Sequence, residues 1–370
     1  MARCIRCQKE SPLTSAPLRV CVDCIRRHFE EVKPHIDEVH ARVREAFNLT
    51  PHPPREPRGL TCTLCANECQ IGEGQRGYCG VRVHKNGRLI GGGINEGLFS
   101  SYYDPLPTNC VADWVCPAGT ECGYPQYSYA RGIERGYKNL AVFFEACTFN
   151  CLFCQNWHYK SRPTEVGSLG PEAIAESCDE KTSCICYFGG DPTPQLVYAI
   201  RASKLARERR KGILRICWET NGSMNPKLLR RTAELSLVSG GCVKFDLKAW
   251  HDEVHYALCG VSNRRTLSNF KLLVAEYKND NQRSDPPLLI ASTLLVPGYI
   301  DEDEVGNIAR FIGSLDRDIP YSLLGFHPHF YMKDLPRTSI RHAERCLKAA
   351  KEAGLRRVRI GNIHLLGDAY

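Results

Sequence analysis

From about residue 139 onward, short apolar runs alternate with longer stretches whose apolar positions recur near every 3.6 residues. The runs Leu140–Phe144, Ser183–Phe188, Ile213–Trp218, Cys242–Leu247, Leu288–Leu295, Tyr321–Phe326 and Arg357–Ile360 predict strands. The stretches Pro194–Lys211, Pro226–Leu235, Arg265–Lys278, Glu302–Ser314 and Thr338–Ala353 predict helices. Strands that alternate with helices of this length need crossover connections, so the pattern predicts an α/β fold with a parallel sheet and right-handed crossovers. No internal sequence repeat interrupts it.

Upstream, the pattern changes twice. Ile25 to Phe47 predicts one amphipathic helix, with Phe29, Val32, Ile36, Val39 and Val43 on its apolar face. The proline-rich stretch Thr50 to Pro57 ends it and predicts a stiff linker. Val81 to Ile90 predicts a hairpin turning at Asn86-Gly87. From about 97 to 138 few apolar positions are periodic, which predicts an irregular segment. The expected organisation is a knuckle plus helix over 1–48, a cysteine-rich module with that irregular segment over 59–138, and an α/β domain over 139–370.

Composition narrows the class. The 370 residues are 43% hydrophobic and 24% charged, as in a globular protein. No apolar run approaches the ~20 residues of a membrane span, and the start lacks a secretory apolar core, so a cytoplasmic setting is expected. Twenty-one cysteines, an odd number clustered in short units, predict metal ligation rather than a disulfide framework. The formal charge of +8 counts every thiol as neutral, whereas ligating thiolates are anionic, and no basic stripe with interleaved aromatics stands out. Nucleic acid is therefore not an expected partner. Arg207, Arg209, Arg210 and Lys211 read as the solvated end of a helix.

The cysteines fall into sets. Cys4, Cys7, Cys21 and Cys24 form C-x2-C-x13-C-x2-C, two knuckles suited to one tetrahedral ion, zinc or mononuclear iron. Cys62, Cys65, Cys69 and Cys79 form C-x2-C-x3-C-x9-C, which suits zinc or a closed 4Fe–4S cluster, with an auxiliary cluster the expectation. Cys110 and Cys116 are candidate extra ligands, and Cys122 a weaker one. Cys178, Cys184, Cys186, Cys217, Cys242, Cys259 and Cys346 read as small apolar core residues. Cys147, Cys151 and Cys154 form C-x3-C-x2-C just after the strand Leu140–Phe144. Three close thiolates suit three irons of a 4Fe–4S cube and leave the fourth iron open. His158 keeps a zinc reading available for this set.

With Phe153 before its last cysteine, this motif resembles that of the radical S-adenosylmethionine (SAM) enzymes. The continuation Cys154-Gln155-Asn156-Trp157 resembles the branch containing the glycyl-radical-enzyme activases. The resemblance implies a partial (β/α)6 barrel, a cube at Cys147, Cys151 and Cys154, and SAM on its open iron. Reductive cleavage of SAM to a 5′-deoxyadenosyl radical and hydrogen abstraction from a substrate would follow. Reduced ferredoxin or flavodoxin would supply the electron. Gly189-Gly190-Asp191-Pro192 resembles the family's Gly-Gly-Glu-Pro element, with Asp in place of Glu. Glu219-Thr220-Asn221-Gly222 and Asp246-Leu247-Lys248 resemble the activases' Asp-Thr-Asn-Gly and Asp-Leu-Lys elements. By resemblance Glu219 and Asp246 would neighbour the SAM carboxylate, Asn221 and Lys248 would contact SAM, and His327 would lie near its adenosine. The extra cysteines favour C–H modification or C–C coupling of a lipid or metabolite. Activation of a partner protein is the alternative, and a non-enzymatic electron carrier the reading from another class.

Overall fold

The computed structural model describes residues 1–108, 110–161, 168–278, 283 and 285–370. Three short antiparallel pairs precede the main sheet: β1 (Ala2–Arg3) with β2 (Glu10–Ser11), β3 (Leu60–Thr61) with β4 (Gln70–Ile71), and β5 (Val83–Lys85) with β6 (Arg88–Ile90). The β5–β6 turn is the expected one, with Asn86 and Gly87 both at positive φ, as a two-residue hairpin turn requires.

The main sheet has eight strands in sequential order. They are β7 (Phe99–Pro105), β8 (Lys138–Phe144), β9 (Thr182–Phe188), β10 (Arg215–Thr220), β11 (Val243–Asp246), β12 (Leu289–Leu295), β13 (Tyr321–Gly325) and β14 (Val358–Gly361). Strands β8 to β14 run parallel, so six crossovers connect them, as expected of a partial barrel. β7 runs antiparallel to β8. That strand corrects the expectation of an irregular segment from 97: Phe99–Pro105 is a half-exposed edge strand whose polar run, Ser-Ser-Tyr-Tyr-Asp, hides the apolar signal.

The crossover helices are α3 (Glu172–Glu176), α4 (Leu196–Arg209), α5 (Pro226–Ser239), α6 (Asp252–Cys259), α7 (Arg264–Tyr277), α8 (Glu302–Leu315) and α9 (Ile340–Glu352). Their ends follow capping rules: Asn225, Asp301 and Ser339 accept backbone N–H groups at N-termini, and Gly240 and Gly260 close α5 and α6 in the left-handed region. The single helix expected over Ile25–Phe47 is two, α1 (Val22–Arg27) and α2 (Phe29–Glu45), broken at His28. α1 belongs to the second cysteine knuckle; α2 carries the apolar face, with Val32, Ile36, Val39 and Val43 buried.

This N-terminal region packs on the barrel. Arg26 pairs with Asp301 and Glu304 at 2.8 Å each, and the Tyr299 hydroxyl takes the Ser15 N–H and donates to the Val20 carbonyl, both at 3.0 Å. The segment between β7 and β8 crosses the barrel interior. The Trp114 indole donates to Ser322 Oγ on β13 at 3.1 Å, and Arg359 on β14 pairs with Asp113. At the barrel's base, Arg215 Nη1 binds Glu134 Oε1 of the same segment at 2.8 Å, and both side chains are buried.

Candidate active site

Strand β8 ends at Phe144, and the loop that follows is laced to its neighbours by backbone bonds. Asn150 N–H donates to the Cys259 carbonyl at 2.8 Å and Leu152 N–H to the Leu258 carbonyl at 2.9 Å. Asp191 N–H donates to the Ala146 carbonyl at 2.7 Å. The glycines permit that approach: a Cβ on Gly190 would lie 2.1 Å from the Ala146 oxygen, and Gly189 sits at φ +72° against Phe143. The glycine turn is thus required by the cysteine loop itself, a tighter role than leaving room for a ligand.

Around this loop lies a cavity of about 160 Å³. Its walls combine Cys147, Cys151, Phe153 and Cys154 with Gly189, Gly190 and Asp191 after β9, Glu219 and Asn221 at the end of β10, and Asp246 and Lys248 after β11. Residues distant in sequence therefore meet at the carboxyl ends of adjacent parallel strands, where barrel sites form. Pro192 and His327 do not line it. Pro192 opens a short 3-10 turn, and the His327 ring faces His329 Nδ1 at 3.3 Å and Arg337 at 3.4 Å.

The polar groups differ in what remains free. Asp191 is saturated: its carboxylate accepts Thr193 N–H at 2.8 Å, Asn221 N–H at 2.7 Å and Thr220 hydroxyl at 3.0 Å. Burial raises its pKa despite these bonds. It ties the β9 turn to the β10 turn and acts as a positioning group. Asn221 Nδ2 donates to Thr148 Oγ1 at 2.8 Å and lies 3.8 Å from Cys147 Sγ, joining β10 to the cysteine loop. Lys248 Nζ pairs with Asp246 Oδ2 at 2.7 Å and lies 5.6 Å from the centre of the Phe153 ring. Glu219 pairs downward with the buried Lys244 at 3.2 Å.

Burial pushes the Cys154 thiol up to about 11 and raises Cys147, while a sulfur contact of 3.6 Å with Cys259 lowers Cys151. Apolar burial of three acidic groups is costly unless a cation compensates them, so the site suits thiolates held by metal. Cys259 read from sequence as a core residue; its place beside Cys151 follows from α6 ending against the cysteine loop. Asn156, part of the Cys154–Trp157 string, also lines the cavity, as does Tyr159, which carried no sequence signal. Behind the loop, buried Lys160 donates to Asn150 Oδ1 at 3.0 Å, and Asn150 meets His40 of α2 at 3.0 Å. Burial brings Lys160 down to about 8 and His40 to about 4.

The four N-terminal sulfurs converge: Cys4, Cys7, Cys21 and Cys24 lie within 4.8 Å of one another, with Cys7 and Cys21 at 3.7 Å. Tetrahedral thiolates with bonds of about 2.3 Å stand about 3.7 Å apart, so this set fits one mononuclear ion. Neither Cys147/Cys151/Cys154 nor Cys62/Cys65/Cys69/Cys79 gathers so tightly among the described residues. The second set is docked on the site: Ala66 N–H donates to the Ser223 carbonyl at 2.9 Å, Asn67 Nδ2 to the Thr148 carbonyl at 2.8 Å.

Residues 141–312 match the family model of the radical SAM superfamily. The chain is 29% identical over 203 residues to the pyruvate formate-lyase 1-activating enzyme of Escherichia coli K12, covering 50% of this chain and 75% of that protein. It is 32% identical over 157 residues to the isethionate sulfite-lyase activating enzyme of Desulfovibrio desulfuricans, covering 40% and 45%. The chain carries a radical SAM domain. An uncharacterised protein of Methanocaldococcus jannaschii is 26% identical over 311 residues, 82% of this radical SAM chain and 81% of its own length. The superfamily works with a 4Fe–4S cluster and SAM, and its activase-like branch is the one these relatives occupy. No described helix of the enzyme is long and apolar enough to cross a membrane.

Proposed function

We propose that Cys147, Cys151 and Cys154 hold the 4Fe–4S cluster and that SAM lies between Phe153, Asn221, Asp246 and Lys248. The carrying observation is that one cavity wall joins the triad to the ends of three successive strands. With both groups bound, the pair supplies a 5′-deoxyadenosyl radical. The residues orient it: Lys248 presents a partly buried ammonium beside a carboxylate, suited to the amino-acid end of SAM. Asp191 fixes the backbone of both turns, and Phe153 covers the cavity.

On the substrate, the activating-enzyme relatives favour hydrogen abstraction from a partner polypeptide. A second reading, C–H chemistry on a lipid or metabolite, is favoured by one feature. The Trp114 segment spans the interior from β7 to β13 and β14 and narrows the side entrance a protein would use. Anaerobic protein given SAM and a low-potential reductant should form 5′-deoxyadenosine, and Cys151→Ala should form none. Absence of product from the wild type, or its persistence in the variant, overturns the proposal. Stimulation of product formation by the macromolecular fraction of a cell extract selects the polypeptide; stimulation by the dialysable fraction selects the metabolite.

A further inference from the structure

Beneath the cavity just described lies a second, of about 360 Å³, which shares Asn156, Phe188 and Glu219 with it. Cys110, Cys116, Cys184, Cys186, Cys217 and Cys242 line it. Cys184, Cys186, Cys217 and Cys242 are buried in the core, as the sequence reading expects, and they also line this space. The strand register explains why. Cys217 on β10 pairs directly with Cys186 on β9, and the pairing of Trp218 with Val243 sets Cys217 beside Cys242 at the start of β11. Paired residues of parallel strands point to one face, about 4.8 Å apart. Three thiols thus form a row across three strands, turned toward the barrel axis.

The crossing segment brings a fourth. Lys244 Nζ, buried in the next row, lies 3.1 Å from Cys110 Sγ and 3.1 Å from Cys186 Sγ. A buried ammonium aimed at two sulfurs is costly to desolvate unless it faces negative charge, and Glu219 alone, itself partly exposed, shares that task. Thiolates would complete it.

We propose that Cys110, Cys186, Cys217 and Cys242 form a further iron–sulfur cluster site inside the barrel, with Lys244 as its buried counter-charge. A single tetrahedral ion does not fit, because these sulfurs do not converge as the N-terminal four do. The cavity, of about 360 Å³, has the room for a cluster. Small thiols that merely opened space would not need to align in register with an ammonium across from them.

The test uses the full chain carrying Cys147→Ala, Cys151→Ala and Cys154→Ala, reconstituted anaerobically with ferrous iron and sulfide. Adding Cys186→Ala and Cys217→Ala should lower bound iron by about two to four per chain, with acid-labile sulfide falling in step, and remove one Mössbauer component. Adding Cys346→Ala, a buried thiol outside the cavity, should leave iron unchanged. Should the strand variants fail to fold, Cys110→Ala on the crossing segment should give the same loss. Unchanged iron and sulfide in a folded Cys110→Ala protein overturns the site and leaves a cavity for substrate. Because the triad is already absent, this outcome is independent of whether the wild type cleaves SAM.

Discussion

The N-terminal knuckles and the barrel triad both use cysteine at short spacing, but they achieve different ends. In the first, four sulfurs lie within 4.8 Å of one another, and a hairpin and a short helix bring them there. Such a set closes the coordination of one ion and leaves nothing for a ligand. In the second, three sulfurs stand apart in a cavity whose other walls come from β9, β10 and β11. One set is gathered by local sequence; the other lies in a cavity completed by the fold. What distinguishes them is less the number of thiols than whether the remaining space is filled by the same segment or by distant ones.

The sharpest way to break this comparison is to exchange the consequences. Structural four-thiolate ions bring on the order of 10 kcal/mol to the segment that binds them. Cys24→Ser should therefore release the N-terminal metal, measured by elemental analysis, and loosen residues 1–27 against proteolysis. Cys151→Ala should abolish 5′-deoxyadenosine formation while leaving that metal and the melting temperature nearly unchanged. If Cys151→Ala instead unfolds the N-terminal region, the two centres are not separable.

A smaller effect probes what holds the barrel base. Arg215 and Glu134 are both fully buried, and the carboxylate also accepts Tyr129 N–H at 2.8 Å and the Ser183 hydroxyl at 2.9 Å. Removing one partner of such a pair costs about 3–5 kcal/mol, because the other charge is left buried and unpaired. Arg215→Ala should lose that much in chemical denaturation. A loss below about 1 kcal/mol would mean that water reaches Glu134 and that the crossing segment is not packed as described.

Sequence pattern revealed the site better than the interior. The strand–helix alternation placed seven parallel strands and five crossover helices within a few residues, because each buries a contiguous apolar run. The elements that escaped it lack such a run: β7 is half exposed, α3 spans only Glu172–Glu176, and α6 is short and follows β11 closely. The cavity's cysteines, Asp191, Glu219, Asn221, Asp246 and Lys248 were legible because they stand at or just after strand carboxyl ends in recognisable strings, whereas Tyr159 stands in none. Cys186, Cys217 and Cys242 were not, since each looks apolar within its own strand and only the register between strands aligns them.

Acid provides a third, milder contrast, because its targets lie at the junction of the two regions. Burial holds His40 on α2 and His255 on α6 at about 4, against an ordinary value of 6.5. Between these values the unfolded chain binds protons that the folded chain refuses, so stability falls as pH falls from 6.5 toward 4. At pH 5 the loss is about 2 kcal/mol for each imidazole. Melting temperature should drop over that range, and His40→Gln should flatten part of the slope. A stability that rises on acidification would show that these rings carry charge in the folded state.

The smallest effect belongs to the surface of the N-terminal hairpin. Arg3 and Glu10 face each other across β1 and β2 at 2.7 Å, but both are more than half exposed. Water and salt screen such a pair, and ordering two long side chains offsets most of its attraction, so Arg3→Ala should change stability by no more than about 0.5 kcal/mol. The same hairpin positions Cys4 and Cys7. If the ion rather than the pair holds this turn, Arg3→Ala should retain its metal against a chelator at the wild-type rate, while Cys4→Ser should not bind it. Faster metal release from Arg3→Ala would mean that the knuckle depends on its surface charges, and that it is less self-contained than the convergence of its four sulfurs implies.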